Sequence, residues 1–148
     1  MPEICHQLIL MTTFSRTYSE LCRLETFEER YHYLRLRGIL GERTFGFDRW
    51  VNQRFYKSRE WLSARDYVIV RDNGCDLGVQ GYEINSGLLV HHMNPISLND
   101  LEEGEEWIID PEFLITTSLQ THNAIHYGDE SLLPRGPIVR QAGDTRLW

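Results

Sequence analysis

Cysteine is scarce in this chain. Cys5, Cys22 and Cys75 are odd in number, widely spaced and form no Cys-x-x-Cys pair. That excludes a disulfide scaffold and a cysteine-built zinc site, and leaves reduced, mostly packed thiols as the expectation. Long apolar runs are missing too, for nothing approaches the roughly 20 residues that cross a bilayer. Leu8-Ile9-Leu10-Met11 is preceded by Glu3, with no basic leader before it and no small-residue cleavage site after it. A cytoplasmic protein with no membrane role is expected, with Met11 as a second candidate start. There are no internal repeats and no low-complexity segment. A positive excess is also lacking: the net charge is -7, at first sight wrong for a nucleic-acid binder.

The distribution of charge matters more than its sum. Arg43 to Arg71 holds seven basic residues (Arg43, Arg49, Arg54, Lys57, Arg59, Arg65, Arg71) against three acidic ones, a net of +4. Asn99 to Glu112 holds seven acidic residues and no basic ones, which equals the whole negative excess. Arg54, Lys57, Arg59, Arg65 and Arg71 stand among Trp50, Phe55, Tyr56 and Trp61 and are candidates for gripping phosphate oxygens. Asp110, Glu112 and the Glu102–Glu106 stretch read as solvated loop carboxylates.

A hydrophobic fraction of 41%, four Trp and seven Tyr suit one buried core and argue against disorder. Residues 1–24 carry little pattern and read as a loosely ordered arm. Thr26 and Glu29 form a capping box, Phe27, Tyr31 and Leu34 follow at helical spacing, and Gly38 is a natural stop. Gly41 to Phe47 reads as a loop, and Asp48 can cap a short helix through Phe55. Ser58 caps the next helix, with Trp61, Ala64 and Val68 on one face, and Asn73-Gly74 turns the chain. Tyr82-Glu83-Ile84 and Leu88 to His92, separated by Asn85-Ser86-Gly87, read as a β-hairpin. A polar connection over 93–110 follows, then the apolar anchor Phe113-Leu114-Ile115. Thr117 or Ser118 caps a helix ending at Gly128. The expectation is a small single-domain α+β protein: an arm over 1–24, a helical lead-in over 25–72, a core over 80–128 within a domain reaching 130, and an extended tail over 131–148.

Four of the six histidines fall in two clusters, His91-His92 and His122/His126. On a helix, residues i and i+4 project from one face, so His122 and His126 can share a cation. His91 adds a third nitrogen from a strand and leaves coordination positions open, as a catalytic metal site requires. Successive strand residues point to opposite faces, so His91 and His92 divide the labour. One is a ligand; the other stays near neutrality as a base that activates water.

His91-His92-Met93-Asn94-Pro95, Asp110-Pro111-Glu112-Phe113-Leu114-Ile115-Thr116 and His122-Asn123-Ala124-Ile125-His126-Tyr127-Gly128 together resemble the HNH endonuclease motif. Phe55 to Trp61 and Val70 to Cys75 resemble the lead-in of phage and bacterial members, and Gly143 to Trp148 adds to the phage-like pattern. The resemblance covers about residues 55–130. It implies a ββα-metal (His-Me finger) core in which one divalent cation (Mg, Mn, Ni or Zn) serves hydrolysis of DNA phosphodiesters. It implies His92 as general base and His91, His122 and His126 as metal ligands. It also implies a setting in phage genome processing or packaging, with terminase as a partner in a host-cell cytoplasm. Two departures stand out. Phe113 occupies the place of the family's bracing Asn, which makes Asn94 and Asn123 the expected supports. The two Cys-x-x-Cys pairs of many relatives are absent, leaving Tyr82, Ile84, Leu88 and Val90 to hold the hairpin. The rival expectation is a catalytically weakened member of the fold that binds DNA or protein.

Overall fold

The structure is a computed structural model that describes residues 15–36, 49–79 and 82–134. Cys5, His6, Met11, Gly38, the 41–47 loop with Arg43, Asp48 and the tail beyond residue 134 lie outside them, and so do the readings placed on them.

The first described segment is not a loose arm. Thr17 caps a single helical turn, α1 (Tyr18–Leu21), and Leu21 is fully buried. The capping box at Thr26 and Glu29 is formed and starts α2 (Phe27–Leu34), which ends before Gly38 at Arg35. Of the expected stripe, Tyr31 and Leu34 are buried, but Phe27 is 42% exposed. Phe27 sits at the first helical position, where the chain is still entering the fold. Cys22 is exposed and Cys75 partly so, against the expectation of packed thiols.

Next come α3 (Arg49–Tyr56) and α4 (Arg59–Arg71), the latter capped by Ser58, whose side chain accepts from the Trp61 N–H. The turn after α4 puts Asn73 at φ 54 and Gly74 at φ 63, left-handed conformations that suit Asn and Gly.

The hairpin expected between residues 82–84 and 88–92 does not form. β1 (Cys75–Asp76) pairs with β2 (Tyr82–Glu83), while β3 (Leu88–His92) pairs antiparallel with β4 (Leu114–Ser118). Burial explains the choice. All five β4 residues are buried, whereas Tyr82 and Glu83 are exposed. Only β4 offers β3 a partner that withdraws apolar and β-branched side chains from water on both faces. The segment 113–117 had read as an anchor plus a helix cap because it is too short to show a period. Ser118 is still the cap: it closes β4 and starts α6 (Leu119–Tyr127), which ends at Gly128 with φ 64. The order is therefore strand, long connection, strand, helix. Within the connection, Ser97 and Asp100 form a capping box for α5 (Leu98–Glu103), and short 3-10 turns span Glu106–Ile109 and Pro111–Phe113.

The outer edge of β4 is sealed by two carboxylates. Thr116 N–H donates to Asp72 (2.8 Å) and Ser118 N–H to Asp76 (3.1 Å), while Thr116 C=O accepts from Leu77 N–H (3.0 Å). Asp76 also accepts from the Ser118 and Thr121 hydroxyls and from Gly78 N–H. Asp76 is fully buried, yet it is saturated with donors, which makes a buried charge tolerable.

The β3–β4 pair is covered on both faces. Ile115 and Met93 pack with Leu21, Leu34, Leu36 and Ile125 on the α6 side. Leu114 packs with Trp61 and Val68, and with Phe55, Ala64 and Val90, on the α4 side. The expected apolar face of α4 is thus the one in use. Leu133, in the region expected to be an extended tail, is buried against Tyr31 and Ala124. Among the described residues, no helix is long and apolar enough to cross a membrane.

Candidate metal centre

Strand alternation sends His91 and His92 to different neighbours. His91 lies opposite Ile115 in the register, so its ring leaves toward α6; His92 lies opposite Leu114 and leaves toward α4. On α6, His122 and His126 are one turn apart and share a face. The three rings meet, with centroids at 5.3 Å (His91–His122), 5.1 Å (His91–His126) and 4.2 Å (His122–His126).

Each of the three contributes a nitrogen to the cluster, and the set lies within 4.8 Å of one another. A tetrahedral ion with nitrogen bonds of about 2.1 Å holds its ligand atoms roughly 3.4 Å apart, so small rotations of the rings close the set. His91 Nε2, His122 Nδ1 and His126 Nδ1 are buried and have no hydrogen-bond partner. They are three of the six such atoms among the described residues. Buried polar atoms of native proteins nearly always find partners, so a partnerless buried nitrogen on each of three histidines that can bring ligand atoms within 4.8 Å of one another fits a cation.

The electrostatics agree with that chemistry. Burial, followed by the neighbouring His126, His122, His92 and Arg16, holds the His91 imidazole well below the ordinary histidine value. Burial likewise lowers His126 to about 4, with His122 adding to the effect, and lowers His122 against a raising hydrogen bond from Asn123. All three are neutral at physiological pH, the form that coordinates metal.

His92 makes a different set of contacts. Its ring stacks on Trp61, with centroids 5.0 Å apart and planes 19° apart, and touches Phe55 and Tyr56 at 6.2 Å and 6.5 Å. Its Nε2 lies 2.7 Å from the Ile108 carbonyl oxygen. A carbonyl only accepts, so Nε2 carries the proton and Nδ1 keeps the lone pair. His92 does not keep the near-neutral pKa expected of it: burial is the main cause that brings it down to about 4, against the raising effect of that carbonyl.

The expected supports are placed elsewhere. Asn94 clasps the backbone of Arg16, accepting from its N–H (2.8 Å) and donating to its C=O (2.9 Å), and so ties the first described segment to the strand end. Asn123 serves His122. The connection is braced by backbone instead: Ile108 C=O holds His92, and Phe113 C=O accepts from Met93 N–H at 3.1 Å. Of the carboxylates read as solvated, Asp110 accepts from Glu112 N–H and Glu112 from Ser19 N–H. Both have structural partners.

The basic set divides. Arg54 on α3, Lys57 in the turn after it and Arg59 at the start of α4 are exposed. Arg65 makes an exposed pair with Asp66 at 3.5 Å. Arg71 leaves the set: it donates to both Asp72 oxygens and to the carbonyls of Pro111 and Leu114, and lies 3.6 Å over the Tyr18 ring. It is a structural clamp. No motif marks the roles of Ile108, Asp72 and Asp76, and none marks the contact of Trp61 with His92. Trp61 was legible in part, since the face of α4 that carries it had to cover something. A carbonyl such as that of Ile108 carries no signature.

Comparison with family models, with curated proteins and with solved structures finds no match for the chain.

Proposed function

We infer that the chain is a divalent-metal-dependent endonuclease of the HNH type acting on DNA, with β3, β4 and α6 as its ββα-metal core. The observation that carries this reading is the convergence of three orphaned, neutral imidazole nitrogens beside a fourth histidine held in a single orientation. His91, His122 and His126 would hold the cation. When bound, it supplies charge stabilisation to the phosphate and to the departing 3′ oxygen.

His92 acts as the general base. Its Nδ1 takes a proton from the attacking water, while Ile108 C=O holds Nε2–H and steadies the imidazolium that forms. His92 follows His91 directly on β3, with the two rings leaving toward different faces of the strand pair. Arg54, Lys57 and Arg59 would meet the phosphate backbone without reading sequence. Phe113 in place of the bracing Asn is the argument for the weakened binding module. Against it stands the backbone bracing of His92, which needs no Asn. A setting in phage genome processing, in the host cytoplasm and alongside terminase, belongs to this proposal through the motif resemblance alone.

The test is hydrolysis of plasmid DNA with EDTA, Mg²⁺, Mn²⁺, Ni²⁺ or Zn²⁺. Metal-dependent cleavage leaving 5′ phosphates and 3′ hydroxyls is expected. Binding of metal and DNA with no cleavage under any metal would favour the binding module.

A further inference from the structure

Of the four histidines, His92 is the one whose surroundings do not follow from metal binding. Its ring is flat against Trp61, which is itself only 4% exposed and is wedged by Phe55 and Tyr56 at 5.3 Å and 5.2 Å. Val68 and Leu114 complete the packing around Trp61. We propose that Trp61 is a positioning residue, which fixes the plane of the His92 ring so that the Ile108 carbonyl can select one ring flip and one tautomer. This deepens the nuclease reading and rests on it for its catalytic meaning.

An imidazole on a strand turns about its Cβ–Cγ bond, and that torsion is broad. A stack with planes 19° apart removes the freedom, leaving two orientations related by a half-turn. Only one of these puts Nε2–H on the Ile108 oxygen at 2.7 Å; the other puts a C–H there. Trp61 therefore sets the plane, Ile108 chooses the flip, and Nδ1 is left as the single proton acceptor. Neither contact alone does both. The aromatic wall touches none of His91, His122 and His126 among the described ring contacts, so its loss should spare the metal centre.

The experiment compares wild type, Trp61→Phe and Trp61→Leu by histidine side-chain nitrogen NMR at neutral pH, with Zn²⁺ affinity and plasmid cleavage measured on the same samples. Expected is a single His92 tautomer, protonated on Nε2, in wild type and Trp61→Phe, and a mixture in Trp61→Leu. Zn²⁺ affinity stays unchanged, and kcat falls about 10- to 100-fold in the Leu variant with KM held. A mixed tautomer or an Nδ1 proton in wild type would overturn the proposal, as would a single tautomer retained in Trp61→Leu. Equal loss of Zn²⁺ affinity in both variants would overturn it too, reducing Trp61 to core packing. If the Leu variant does not fold, Trp61→Met carries the same comparison. The tautomer result stands whether or not the protein cleaves; wild type inert in every metal would sink the nuclease reading separately.

Discussion

In the metal-free protein, acid should remove a defined amount of stability through His92. Its pKa falls from 6.5 in the unfolded chain to about 4 in the fold, chiefly by burial. Between those values the unfolded chain binds more protons than the folded one, so stability rises with pH across the window. The contribution is intact above pH 6.5 and is lost as pH falls toward 4. At about 1.4 kcal/mol per pH unit, the loss is about 3 kcal/mol, a large part of the 5–15 kcal/mol typical of a domain. His91 acts in the same direction. Urea unfolding in EDTA at pH 7, 6, 5 and 4 measures the slope, and His92→Gln isolates the cause. Glutamine can keep a donor toward Ile108 C=O but cannot take a proton in this range. The variant's stability should therefore fall about 3 kcal/mol less than wild type over the window. Parallel curves for the two proteins would refute the reasoning.

Other outcomes follow from the same geometry. Zn²⁺ at 100 times its Kd should raise unfolding free energy by about 2.7 kcal/mol at pH 7, and His126→Ala should abolish the effect, read by thermal melts. That stabilisation should fade as pH drops through about 4, where His126 takes up its proton. Replacing Arg54, Lys57 and Arg59 together by Gln should lower DNA affinity and flatten its log–log salt dependence by up to about 2.7; unchanged affinity would make them a solvated face. Gly78→Ala sets a Cβ 2.5 Å from Thr121 Cγ2 and 3.2 Å from Asp76 Oδ1, and should cost about 1–3 kcal/mol in chemical unfolding.

The parts of this fold that were legible in the sequence are those with local signatures. Thr26, Ser58 and Ser118 cap helices because their hydroxyls reach a backbone N–H three residues on, a relation visible in the sequence itself. His122 and His126 share a face because α6 is a helix. Strand pairing was not legible. Leu88–His92 could pair forward or backward, and the winner is settled by burial of a segment that starts 22 residues after His92, with Leu88 set against Ser118, 30 residues on. Arg71 looked like a phosphate grip because its neighbours are basic, but its Asp72, Pro111 and Leu114 partners are set by the fold. Asn94 was expected beside the base and instead holds Arg16, 78 residues away in sequence.

The central claim is that His92 is the base and the other three histidines are the metal site. Its most direct test is plasmid cleavage by His92→Ala beside wild type, at a Mg²⁺ or Ni²⁺ concentration where calorimetry finds both saturated. Cation binding retained with cleavage abolished is the predicted result. Cleavage that survives in the variant, or cation binding lost with it, would contradict the assignment.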